Sequence, residues 1–390
     1  MNTLKLAYRN LVGAGLRTWL NVIVLSFSFV LIIWHKGILD GWNAQAQTDM
    51  IGWEIAGGQY WHEKLDPYDP FTLDESHGKL SDEIIQAVED SLLSPILLAQ
   101  GTIYPEGRIQ SIMIKGIDPG QTLVKLSSHM LKTEMDELPA IIGTRMAASN
   151  KLKLGDYVTI RWRDVNGTFD AAEIKIVGLF KTTVSTVDNG QIWVPLERLQ
   201  HMLQIPGEAS ILMVRAGEEG TAELDGWKVR DLDYLLKDFK DIIASKSIGG
   251  SVLYIVVLML ALLAIFDTQV LSVFRRQKEI GTYMALGMTR GQVIRMFTVE
   301  GAMHGVLAAI VAAIYGIPLL SIQAVKGWSM PMNTDDYGLA IADKIFPMYS
   351  GGLVAGTILI VLITTTIVSY IPVRKIAKMK PTDAIKGKLQ

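Results

Sequence analysis

Side chains able to do acid–base, nucleophilic or metal chemistry are present in this chain but do not converge. There is no cysteine, which removes thiolate ligands, disulfides and lipid attachment through a cysteine of this chain. The six histidines, His35, His62, His77, His129, His201 and His304, are scattered without metal-ligand spacing. Asp66, Asp69, Asp74 and Glu75 gather carboxylates that suit calcium, yet they lack the alternating order of a calcium loop and read as a solvated loop. No Gly-x-x-x-x-Gly-Lys-Ser/Thr string occurs, so no nucleotide is expected on a P-loop of this chain. The expectation is a non-catalytic chain without a cofactor or metal of its own. Nor does the segment after the first apolar run carry a basic patch, so no nucleic-acid partner is expected.

The segment with the most concentrated information is Phe274 to Gly301, FRRQKEIGTYMALGMTRGQVIRMFTVEG, a basic stretch between two long apolar runs. As a helix, Lys278 to Arg290 places Ile280, Tyr283, Met284, Gly287 and Met288 at i, i+3, i+4, i+7 and i+8, one apolar stripe. Gly281, Ala285 and Gly287 are small enough to admit a close-lying surface. Two readings fit: a helix that docks a partner, or an interfacial helix dipping into headgroups with its arginines on phosphates. Asp267 and Glu300 read as polar groups at helix ends, within reach of the interface.

Four apolar runs must position this segment: Thr18 to Trp34, continuing to Leu39; Ser247 to Phe266; Ala302 to Val325; and Ile345 to Val373. About 20 apolar residues at about 1.5 Å each cross a hydrocarbon core of about 30 Å. Uninterrupted apolarity excludes the alternation of a membrane barrel, leaving four transmembrane helices. A cleaved signal peptide ending near Ala44-Gln45-Ala46 competes for the first run, but Trp34 and Trp42 sit where interfacial anchors belong. Lys5, Arg9 and Arg17 precede the first span, Arg275, Arg276, Lys278, Arg290 and Arg295 lie between the second and third, and six lysines and arginines follow the fourth. By the positive-inside bias both termini and the central loop are cytoplasmic, and the segment between the first two spans is outside.

That outer segment reads as mixed α/β. Ser81-Asp82-Glu83 begins a helix with Ile84, Ile85, Val88 and Leu92 on one face. Ile96 to Tyr104 and Ile109 to Ile114 read as a hairpin, as do Tyr157 to Trp162 and Ala172 to Leu179 around Asn166-Gly167. Glu197 to Leu203 and Leu224 to Ser245 read as helices, and Ser210 to Val214 as a strand. The expected organisation is a cytoplasmic amphipathic segment 1–17, spans at 18–40, 247–274, 297–325 and 347–373, an outer domain 41–246, a cytoplasmic helix-bearing loop 275–296, a short outer loop 326–346 and a cytoplasmic tail 374–390.

At this point the residues carry a resemblance. RRQKEIGTYMALGMTRGQVIRMFTVEG resembles the R-x-x-E-I-G-x-x-x-A-x-G signature of the FtsX/MacB superfamily of ABC transporter permeases, with Arg275, Arg276, Glu279, Ile280, Gly281, Ala285 and Gly287 at those positions. VRKIAKMKPTDAIKG and LAYRNLVGAGLRTWLNV resemble its closing and opening segments, and IIGTRMAASNKLKLGDYVTI, with Gly143, Leu152, Gly155 and Asp156, resembles its periplasmic core domain. The stretch IKIVGLFKTTVSTVDNGQIWVPLERLQHMLQIPGEASILMV is similar to the lipoprotein-releasing LolC/LolE type, although Thr182-Thr183 stand where relatives often have Thr-Gly.

The resemblance implies an α-helical membrane protein with four transmembrane helices and a large extracytoplasmic α/β domain inserted between the first two. It implies a bacterial inner-membrane location and a separate cytoplasmic ABC ATPase, which carries the ATP and Mg. A second permease, identical or not, completes the machine. A coupling helix then presents Arg276, Lys278, Glu279, Ile280, Gly281, Met284, Ala285 and Gly287 to the ATPase. In lipoprotein releasers acyl chains lie between the first and second helices of paired permeases, which by position implies Trp34, Ile38, Tyr254, Val257 and Leu260 here; a lipid-facing surface fits the same five. Lipoprotein extraction, with a periplasmic chaperone, stands beside efflux or peptide export through an adaptor, and beside an FtsX-like module that transmits force to a periplasmic hydrolase.

Overall fold

Long helices follow from the apolar runs, because backbone polar groups in hydrocarbon are satisfied only within the segment itself. The computed structural model describes residues 16–132, 135–182, 184–218, 223–329 and 344–376. The expected segment 1–17 (apart from its last two residues), most of the loop 326–346 and the tail beyond 376 lie outside them. The chain divides into two units, one of residues up to 41, 242–328 and from 346 onward, the other built around 42–241.

In the first unit, α1 (Leu16–Met50), α2 (Lys237–Arg275), a short α3 (Gln277–Ala285), α4 (Arg290–Lys326) and α5 (Gly351–Ile376) follow in chain order. Four of them, α1, α2, α4 and α5, are long and apolar enough to cross a membrane. Their ends depart from the expected ones in instructive places. Thr289 caps α4 with a reciprocal box, the Gln292 backbone N–H donating to Oγ1 of Thr289 while the Gln292 side chain accepts from the Thr289 N–H. The helix therefore starts at Arg290, inside the segment expected as loop. At the other end, residues 345–350 are not helical: Pro347 cannot continue a hydrogen-bonded turn, and the Met348 N–H instead donates to the Gly37 carbonyl at 2.9 Å.

The core of this unit is a seam of small residues. Gly301, Gly305, Ala308, Ala312 and Gly316 lie on the buried face of α4: Ala308 and Ala312 share one cluster with Val22, Leu25 and Phe29 of α1, Ile265 of α2 and Val361 of α5, while Gly301 faces Ser369 and Gln269, Gly305 faces Leu362 and Thr365, and Gly316 faces Val30. With no hydrophobic drive between helices in lipid, close approach over small residues is what holds such a bundle. Gly301 shows how close: a methyl there would sit 2.2 Å from Ser369 Oγ.

In the second unit nine strands form one sheet: β1 (Gln59–His62), β2 (Leu93–Ile103), β3 (Gln110–Ile117), β4 (Leu138–Gly143), β5 (Tyr157–Arg163), β6 (Phe169–Phe180), β7 (Gln191–Pro195), β8 (Ile211–Val214) and β9 (Trp227–Arg230). Their order is β9-β1-β8-β2-β3-β7-β4-β6-β5, and β5 pairs back onto β2. Six strands thereby close into a barrel whose interior holds Leu97, Ile114, Ile142, Ile160, Ile174 and Ile192. Closure removes exposed edges on that side. The helix Asp82–Glu89, capped by Ser81, covers a second cluster around Tyr60, Ile84 and Leu212.

Both expected hairpins form, β2 with β3 and β5 with β6. In the second, Gly167 takes φ +82° and buried Asp164 accepts from the backbone N–H groups of Asn166 and Thr168. The expected helix over Leu224 to Ser245 is corrected: Trp227–Arg230 is a strand paired with β1, followed by a one-turn helix at Leu232–Leu235 before α2 begins at Lys237. The carboxylates of the acidic cluster serve local turns and exposed ion pairs. Asp69 caps the turn at Phe71, Glu75 meets Lys64 at 3.0 Å, and Asp74 lies 3.7 Å from Arg163.

Candidate coupling site

The corner between α2 and α3 is built around one arginine. Arg276, at the N-cap of α3, donates from Nε to Glu279 at 2.8 Å and from Nη1 to both carboxylate oxygens of Glu300 at 3.0 and 3.2 Å. Its guanidinium lies 4.8 Å from the ring centroid of Phe297. Glu300 is buried at 7% exposure, so the pair is shielded from screening water. Burial by itself lowers the Arg276 pKa, but the hydrogen bonds and charges of Glu279 and Glu300 outweigh it and raise it above the ordinary value. The expectation of Glu300 as a helix-end group reaching the interface is therefore replaced by that of an internal anchor.

The apolar stripe of α3 points inward. Ile280 and Gly281 are buried, and Ile280 joins Val273, Val293, Met296, Phe297 and Val373 in one cluster, with Tyr283, Met284 and Met288 packed against it. Of the stripe, Ile280 is buried within its own bundle, Tyr283, Met284 and Met288 are half-buried against the same cluster, and Gly287 is exposed. What α3 leaves outward is its other face: Lys278, Glu279, Thr282 and Ala285 are exposed, and beyond them Leu286 at 78% and Gly287, whose φ of +96° ends the helix. Of the eight residues expected at this site, Lys278, Glu279, Ala285 and Gly287 are outward, whereas Ile280 and Gly281 are buried, Met284 packs inward and Arg276 is partly buried in its ion pairs. Leu286 was not among them, although an unpaired leucine between Ala285 and Gly287 was the available signal.

The five expected cavity residues are spread over α1 and α2. Trp34 meets Trp328 edge-to-face at 6.1 Å, Tyr254 packs edge-on to His35 and hydrogen-bonds Ser251 at 2.5 Å, Ile38 and Val257 are half-buried, and Leu260 is 61% exposed. A cavity of about 260 Å3 lies elsewhere in the unit, between α1, α4 and α5, lined by Phe29, Ile33, Ala312, Gly316, Leu320 and Tyr349 among others. None of the five lines it.

Residues 251–381 match the family described as FtsX-like permease C-terminal. The lipoprotein-releasing system transmembrane protein LolC of Neisseria meningitidis is 20% identical over 260 residues, 61% of this chain and 61% of the relative. The macrolide export ATP-binding/permease protein MacB of Sodalis glossinidius is 27% identical over 214 residues, 51% of this chain and 30% of the relative. The chain thus spans less than two thirds of the length of these curated relatives. The solved periplasmic region of MacB from Actinobacillus actinomycetemcomitans aligns with 49% of this chain and 96% of its own at 9% identity and a TM-score of 0.33. Residues 251–381 are thus similar to the C-terminal part of FtsX-like permeases, and about half or more of the chain is similar to the LolC and MacB relatives.

Proposed function

We propose that this chain is the membrane-spanning permease subunit of an ABC transporter in the bacterial inner membrane, with both termini and α3 on the cytoplasmic side. A separate ATPase docks on the outward face of α3, and its ATP-driven motion passes through the bundle to the domain between the first two spans. The observation that carries this reading is the two-sidedness of α3. Its apolar stripe is locked into the bundle while Lys278, Thr282, Ala285 and Leu286 stay exposed, so a push on that face moves a packed element.

Within that class, lipoprotein extraction from the inner membrane for delivery to the outer membrane is the reading favoured, together with a second permease and a chaperone. The name of the LolC relative supports it. Energetics agree: withdrawing acyl chains costs about 0.8 kcal/mol per methylene, so a multi-chain anchor needs ATP. The MacB relative supports export as the second reading. Purification of the native complex in mild detergent, with mass spectrometry of co-purifying proteins and lipid-modified species, tests both. An ATPase with a lipoprotein supports extraction; an ATPase with an adaptor moves the assignment to export, and one with a hydrolase to force transmission. No ATPase at all refutes the reading.

A further inference from the structure

An ion pair whose carboxylate is buried at the cytoplasmic foot of a bundle is costly to hold, and α2, α3 and α4 are organised around one. Arg276 sits between the end of α2 and the start of α3, so wherever its guanidinium is fixed, the corner is fixed. It reaches Glu279 within α3 and Glu300 within α4, using different nitrogens for the two carboxylates. The α3–α4 packing beside it is apolar, through Ile280, Val293 and Phe297, and apolar contact allows sliding because it has no preferred direction. The Arg276–Glu300 contact does have one, since two oxygens converge on one N–H group at a charged centre.

We propose that Glu300 is the positioning residue for coupling: by clamping Arg276 it makes α3 and α4 move as one body, so that a displacement imposed on α3 reaches the membrane-spanning helices. Glu300 touches no partner in this scheme and acts through Arg276. The inference rests on the docking reading of α3.

The test uses the full permease–ATPase complex reconstituted in lipid, with two readouts, co-purification of the ATPase and stimulation of its hydrolysis by the permease. E300Q keeps the shape and removes the charge. It is expected to assemble with the ATPase while stimulation falls about tenfold or more, the factor corresponding to loss of one good hydrogen bond between charged groups. The exchanged pair R276E/E300R puts the guanidinium on α4, facing carboxylates at positions 276 and 279, and is expected to restore most of the stimulation; a residue serving only stability would instead leave stimulation intact in an E300Q protein that folds and assembles. Wild-type stimulation in E300Q, or an exchanged pair that folds without recovery, overturns the proposal. If E300Q does not fold, E300D decides, since it keeps the charge on an arm one methylene shorter. Lost stimulation in a folded E300D supports the clamp, and full stimulation overturns it. A wild-type chain that neither binds nor stimulates the ATPase refutes the docking reading itself, a result distinct from all of these.

Discussion

Replacing Gly301 with alanine tests whether the seam of α4 is as tight as it is drawn. The added methyl would lie 2.2 Å from Ser369 Oγ, 2.4 Å from Ser369 Cβ and 3.1 Å from Gln269 Cδ. Comfortable carbon contacts are about 3.5–4.0 Å, so α5 has to retreat by about 1 Å or more. Ser369 is fully buried and Gln269 is 2% exposed, and neither has solvent to move into. At a site whose neighbours cannot yield, overpacking costs about 2–3 kcal/mol, the upper part of its usual range, against which alanine recovers about 1 kcal/mol of helix propensity. At about 2–4 °C per kcal/mol for a unit of this size, the melting temperature should fall by about 2–8 °C. Thermal unfolding of the purified chain in mild detergent, followed by tryptophan fluorescence, reads this directly.

Two companions make the result interpretable. S369G removes both of the nearest atoms, so in that background G301A should cost little, and the difference between the backgrounds is the contact itself. G356A, on α5 with no side chain or neighbouring backbone near its added methyl, should not lower stability. A G301A protein as stable as wild type, or one equally damaged with and without Ser369, would show that α4 and α5 do not meet as described.

Other expectations are shorter. Leu286 is 78% exposed, so L286E should leave melting unchanged while abolishing stimulation of the ATPase; intact stimulation refutes docking at that face. With no native cysteine to confuse labelling, a cysteine at exposed Asn166 should react with an impermeant thiol reagent from outside intact cells and one at exposed Thr289 should not, and the reverse pattern inverts the topology. Asp188 is fully buried and faces Arg145 at 3.1 Å, so D188A should cost about 3–5 kcal/mol by leaving a buried guanidinium short of its partner. Chemical denaturation of the second, sheet-containing unit within the full chain measures it, and a loss below about 1 kcal/mol contradicts the burial.

What could be read from the sequence was what the chain encodes locally. Ser81 before an amphipathic stretch, Asn166-Gly167 between alternating runs, and apolar stretches of bilayer length each contain their own physical instruction, and each takes the expected form. Trp227–Arg230 does not, because a four-residue strand with two basic side chains has no local signature and is defined by pairing with β1 across the whole domain. The barrel closure of β5 on β2 was out of reach for the same reason. Along α3 the stripe of Ile280, Tyr283 and Met284 was legible, but its direction was not, since periodicity gives a face without saying what it meets. Glu300 was misread because an acid near a helix end looks alike whether it faces water or an arginine 24 positions away.

The position of β1 also dictates when the second unit can finish folding. It is held between β8 and β9, and both of these are made last. About 150 residues separate His62 from Ile211, so at about 5–20 residues per second a nascent chain waits about 7–30 s between making the first strand and making either of its partners. Through that interval Tyr60, buried in the finished sheet, is open to any passing surface. The last strands are thus the latch of the domain, and a ribosome stalled shortly before Ile211 leaves a membrane-tethered chain with its first strand unpaired.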